Sequence, residues 1–178
     1  MSKRELKKYV AQLTKEQLEE QVMELYEKFS PVKVYYNFVF NPKEDSLLQE
    51  AKLKVTNEYF PVGNPGRKTK PRAKMRRSMA QKFIKHFIVL GVDAYIVADL
   101  MLYAIEIAQT YAAENPIKTE TFYKSMYNSF EQAANYCVTN GIFTDFKERI
   151  IGISAEAKLK KWQNRYDFET VIDKISIL

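Results

Sequence analysis

The sequence predicts an all-α protein, an irregular bundle or stack of about eight helices built from α-α hairpins. Glycine numbers only 5 and proline 6 in 178 residues, too few for the many tight turns of a β fold. Apolar residues recur at helical spacing through most of the chain, the mark of helices with one buried face. Several of these runs follow a Ser or Thr that stands three residues before a Glu or Gln, the reciprocal capping pattern of a helix start.

Ser2 with Glu5 opens the first helix, and Leu6, Val10 and Leu13 form its apolar side. Thr14 with Gln17 opens the second, striped by Leu18, Val22, Leu25, Tyr26 and Phe29 and closed before Pro31. Residues 32–40, VKVYYNFVF, have the β-branched and aromatic content of a strand. No partner strand occurs elsewhere, and a lone strand leaves its backbone unpaired, so a helix is expected. Asn41 is expected to cap the next helix with Pro42 in its first turn, burying Leu48, Ala51, Val55 and Tyr59. Residues 61–77 then read as a basic connecting loop. Ser78 with Gln81 signals a helix along Met79, Phe83, Phe87 and Leu90, stopped by Gly91. Asp93 caps a nearly all-apolar helix through Ala108, which marks it as central. Thr119 opens a helix along Phe122, Met126, Phe130, Ala133 and Cys137, ended by Gly141. Two more follow, one over about 144–162 and a short one over about 166–175. No fixed-period repeat is visible, so a solenoid is not expected. The expectation is a single domain over 1–178, with 1–30 as a candidate N-terminal hairpin appendage.

The totals bound the function. One cysteine and one histidine rule out a disulfide and a His/Cys metal cluster within the chain. The charged N-terminus lacks the apolar run of a signal peptide, and Asp99 and Glu106 interrupt the longest apolar stretch, so a cytoplasmic protein without a membrane partner is expected. The net charge of +6 is unevenly spread. Between Glu58 and Asp93 there is no acid, and all nine cations of that window lie in 67–85: Arg67, Lys68, Lys70, Arg72, Lys74, Arg76, Arg77, Lys82 and Lys85. The rest of the chain holds 19 bases and all 22 acids, so a mildly acidic body carries one basic segment.

SKRELKKYVAQLTKEQLEEQVMELYEKF, YYNFVFNPKED, EYFP and RRSMAQKFIKHF running into GVDAYIVADLMLY together resemble a family of small bacterial proteins known only as a domain of unknown function. The resemblance implies a helical fold and a bacterial cytoplasmic setting, and no activity, cofactor or site residue.

The basic segment is therefore the leading candidate site. Clustered Lys and Arg contact phosphates without reading bases, and they crowd a helix start where the dipole disfavours cations. No aromatic interleaves residues 63–80, so base stacking from this loop is not expected. The competing reading is a solvated loop neutralised by acids of residues 15–28 or 43–58. Asp99 and Glu106 share a face of the central helix and suit acid-base or metal chemistry only if unpaired; pairing with a Lys or Arg, or a position facing solvent, is expected instead. His86 has no identifiable acid partner, and Cys137 on an apolar face reads as an inert thiol. The tyrosines and phenylalanines read mostly as core residues with Tyr hydroxyls reaching the edge; the alternative for Tyr123 and Tyr127 is an outward position that would suit a partner surface. No Gly-rich phosphate loop or nucleophile elbow is present.

The reading of function is a non-enzymatic helical binding protein, without cofactor, metal or catalytic residues, that engages an anionic partner through 67–85, nucleic acid or an acidic protein surface being the candidates. The alternative is a protein–protein adaptor whose basic loop is merely solvated. A third reading is an enzyme using Asp99, Glu106 and His86.

Overall fold

In the computed structural model, which describes residues 2–63 and 71–176, the described residues form nine helices and no strand. The chain divides into two compact units, residues 1–43 and 44–178.

The first unit holds α1 (Lys3–Val10), α2 (Lys15–Lys28) and α3 (Ser30–Phe40). Both expected capping boxes form. Glu5 N–H donates to Ser2 Oγ at 3.3 Å and Ser2 N–H to Glu5 at 2.6 Å; Gln17 and Thr14 exchange the equivalent bonds at 3.3 and 2.9 Å. Residues 32–40 are helical, as the missing partner strand requires. Phe29 serves both as C-cap of α2 and N-cap of α3, with Pro31 in the first turn of α3, where its missing N–H costs nothing. Tyr26 and Tyr36 meet at a ring distance of 6.4 Å and join α2 to α3. None of residues 2–43 is buried.

The second unit holds α4 (Glu44–Tyr59), α5 (Arg77–Leu90), α6 (Ala94–Glu114), α7 (Glu120–Thr139), α8 (Phe143–Leu159) and α9 (Arg165–Ser176). Helix α4 starts at Glu44 rather than at Pro42, because Asn41 is the C-cap of α3 and its N–H is taken by Asn37 and Phe38. Its buried residues include the four expected, Leu48, Ala51, Val55 and Tyr59. Helix α6 is central: Val97, Ala98, Leu100, Met101, Leu102, Ile105 and Ala108 are all buried, and it packs on α4, α5, α7 and α8. By length and composition alone α6 could cross a membrane, but half of its most apolar window is buried inside the fold. Asp93 caps α6 by accepting from Tyr95 N–H at 2.8 Å. Gly91 and Gly141 end α5 and α7 at φ of 76° and 71°, a left-handed conformation that costs a residue with a Cβ.

Helix α5 turns a different side inward than its aromatic spacing suggested. Ala80, Ile84, Phe87 and Leu90 are buried, while Met79 and Phe83 are only half-buried at the edge of that face. A second core cluster joins α7, α8 and α9: Phe130 and Phe168 are fully buried with rings 4.8 Å apart, and Trp162 meets Phe168 and Phe122 at 5.8 and 5.9 Å. Side chains of this size contribute roughly 1.5–3 kcal/mol each on full burial. Cys137 is fully buried on α7.

Candidate anion-binding segment

The segment is anchored at the end of α4. In the last turn of a helix a carbonyl lacks an intrahelical partner. Here the carbonyl of Glu58 accepts the N–H groups of Lys74 and Met75, at 2.9 and 3.0 Å. Met75 sits at φ 52°, a left-handed conformation uncommon for a residue with a side chain, and it brings its own N–H and the preceding one to a single oxygen. The Glu58 carboxylate, almost wholly buried, receives Arg76 Nε and Nη2 at 2.9 and 2.8 Å. This bidentate geometry is the strong form of an Arg–carboxylate bond. Hydrogen bonds from Arg76 hold the Glu58 carboxyl below its ordinary range, against the opposing effect of burial, and Glu58 in turn raises Arg76. One residue thus binds the chain at 74, 75 and 76.

The next arginine is also committed. Arg77 Nε donates to Ser129 Oγ at 2.7 Å and Nη2 to Gln132 Oε1 at 3.1 Å, both on α7, and burial pulls its guanidinium down. Gln81 donates to the same Gln132 oxygen at 2.9 Å. The capping box expected from Ser78 and Gln81 therefore does not form. Helix α5 begins two residues earlier than that box would place it, at Arg77, with Arg76 at the N-cap and no side-chain cap. Tertiary partners for Arg76, Arg77 and Gln81 outweigh a local cap whose usual contribution is about 1 kcal/mol.

The remaining cations divide by position. Arg72 and Lys74 before α5, and Lys82 and Lys85 along it, are exposed and, among the described residues, in no ion pair. Arg67, Lys68 and Lys70 lie outside the described residues. Of the described members of the predicted set, then, four are open to a partner and two are bound to the body.

Asp99 and Glu106 do converge, on an arginine. Arg149 of α8 reaches Asp99 at 2.6 Å and grips Glu106 through Nε and Nη2 at 2.6 and 2.8 Å, while Lys52 of α4 holds the other Asp99 oxygen at 2.6 Å. Burial pushes the Asp99 carboxyl up, but hydrogen bonds from Lys52 and Arg149 and their charges outweigh it and leave it low. Arg149 is raised, first by its bonds to Glu106. Each carboxylate is thus paired with a base, as expected. His86 is exposed on α5, and no hydrogen bond or ion pair is made by it among the described residues. The described residues hold no group of three His, Cys, Asp or Glu able to bind a metal.

Tyr123 and Tyr127 lie at the edge of the core. Both are half-buried: Tyr123 lies against Trp162 at 5.3 Å and donates to the carbonyl of Ile117, and Tyr127 donates to Glu131. With both tyrosines, Glu120, Lys124, Asn128 and Asp167 help to line an open cleft of about 370 Å³. Sequence reasoning did not find Arg149, and it offered Glu58 only as one of the acids of 43–58 in the competing reading, a pairing that Glu58 makes with Arg76. Glu58 had a signal, as the last acid before the acid-free window; the partners of Arg149 lie 43 and 50 residues away and no local pattern announces them.

Neither a curated protein nor a solved structure matches the chain. A family model does, over residues 1–176, and by that match the chain belongs to DUF6155, a family of unknown function.

Proposed function

We propose that the protein is a non-enzymatic binding protein that engages an anionic partner through the basic segment 67–85, with nucleic acid as the partner to test first. The observation that carries this reading is the state of the cations in a stretch without a single acid. Only Arg76 is ion-paired among its described bases, and Arg72, Lys74, Lys82 and Lys85 remain exposed. Ordinary solvated surfaces intersperse both signs. The Glu58 clamp supports the same reading, since it holds the segment's return to α5 in one geometry and reduces the ordering cost of binding.

Contacts of this kind address phosphates, so sequence-independent, salt-dependent binding is expected. The test is fluorescence polarisation with labelled single-stranded and duplex oligonucleotides at two salt concentrations. The reversals Arg72→Glu, Lys74→Glu, Lys82→Glu and Lys85→Glu should weaken binding and flatten its salt dependence. Arg76 and Arg77 are poor choices for this purpose, because changing them also releases Glu58, Ser129 and Gln132. Binding that is absent, or indifferent to the four reversals, overturns the proposal.

A further inference from the structure

The first unit presents an apolar surface that nothing within it covers. Leu6, Tyr9, Val10, Val22, Met23, Leu25, Phe29, Val34, Tyr35, Val39 and Phe40 are 37–82% exposed. Part of this surface is shaped. Val22, Met23 and Tyr26 of α2, with Tyr36, Asn37 and Phe40 of α3, line a groove of about 400 Å³.

Charge identifies what fits there. Helix α1 carries Lys3, Arg4, Lys7 and Lys8 against Glu5 alone, and α2 carries Glu16, Glu19, Glu20, Glu24 and Glu27 against Lys15 and Lys28. The ion pairs formed within this unit are Lys15–Glu19 and Lys28–Glu24, both inside α2. Among the described residues Glu16, Glu20 and Glu27 are in no ion pair, and helical spacing sets them in one row beside the groove. Among the described residues the four cations of α1 are in no ion pair, and the same spacing sets Lys3 and Lys7 beside the apolar edge of Leu6, Tyr9 and Val10, with Arg4 and Lys8 on the far side of the helix. An apolar edge with a basic flank thus matches an apolar groove with an acidic flank. The chain's own α1 leaves the groove open: Gln21 donates to Tyr9 Oη at 2.6 Å, yet Val22 and Met23 just beyond stay exposed.

We propose that residues 1–43 are a dimerisation module in which α1 of each copy lies in the α2–α3 groove of a second copy. The arrangement is a helix laid in an apolar groove, made twice by a two-fold axis, with the basic row of one copy against the acidic row of the other. It uses no residue of the basic segment, so it stands or falls independently of anion binding.

Sedimentation equilibrium on the full chain tests it. The wild type should have the mass of a dimer, and Met23→Glu with Phe40→Glu should give a monomer; both side chains are exposed, so circular dichroism should be unchanged. The decisive arm reverses charge. A copy with Lys3→Glu and Lys7→Glu, and a copy with Glu16→Lys, Glu20→Lys and Glu27→Lys, should each be monomeric alone and form a dimer when mixed. A wild type that stays monomeric at about 100 μM overturns the proposal and leaves the groove to a helix of another protein. A dimer that survives the groove substitutions, or reversed copies that fail to associate on mixing, overturns it equally.

Discussion

Helices α2 and α7 carry apolar stripes of the same spacing, and the two stripes end in different environments. In α7, Phe122, Met126, Phe130, Ala133 and Cys137 are all buried. In α2, none of Leu18, Val22, Leu25, Tyr26 and Phe29 is. The difference lies in what surrounds the stripe. Helix α7 packs on α6, α8 and α9 in a unit of six helices, whereas α2 packs on α3 in a unit of three short ones. A stripe specifies a surface that must be covered, but enclosure takes several neighbours, and units near 40 residues usually need a partner to reach it. The comparison predicts that stability resides in α4–α9 and association in α1–α3.

Core truncations should separate the two regions most sharply. Phe130→Ala should destabilise the second unit by about 3–5 kcal/mol, read as a shift in the urea midpoint by the fluorescence of buried Trp162. Val22→Ala in the first unit should move the same transition by less than ~0.5 kcal/mol. Equal shifts would break the comparison.

A smaller effect is expected from the ion cluster. Arg149→Met removes the base held by Glu106 and leaves Asp99 to Lys52 alone. Removing one partner of a buried pair costs about 3–5 kcal/mol; these side chains are partly open to solvent, so about 2 kcal/mol is expected. Adding Asp99→Asn and Glu106→Gln should recover much of that loss, which a purely steric defect at Arg149 would not allow.

The smallest shift belongs to the Glu58 clamp, through pH. The folded carboxyl lies below its ordinary value, so its contribution is present above about pH 4.3 and is lost as pH falls through the lower folded value. Glu58→Gln should therefore lower the urea midpoint at pH 7, and the gap from the wild type should close toward pH 3. A gap independent of pH would assign the clamp to the backbone bonds of Lys74 and Met75 instead.

What the sequence made legible follows the range of the interaction responsible. The boxes at Ser2 and Thr14, the cap at Asp93 and the stops at Gly91 and Gly141 are set within a few residues, and all were readable. The buried side of α5 was not, because Phe87 and Leu90 fit both a Met79/Phe83 face and an Ala80/Ile84 face, and only packing on α4 and α6 decides between them. The start of α5 was missed for a related reason: its local cap competes with bonds from Arg76 and Arg77 to Glu58, Ser129 and Gln132, 18 to 55 residues away. Composition revealed the basic segment as a whole. It could not divide that segment into bases bound to the body and bases open to a partner, since that division depends on where Glu58 and α7 lie in space.

Cys137 gives the second unit its own clock. It is the single cysteine of the chain, fully enclosed in α7, and burial pushes its thiol up to about 11. At neutral pH roughly one thiol in 10⁴ is then ionised even before access is considered. An alkylating reagent must wait for α7 to open, so the rate of modification counts openings of that core alone. The first unit has no thiol and is silent in the same experiment. Without any engineered label, the chain reports when one of its two units unlocks.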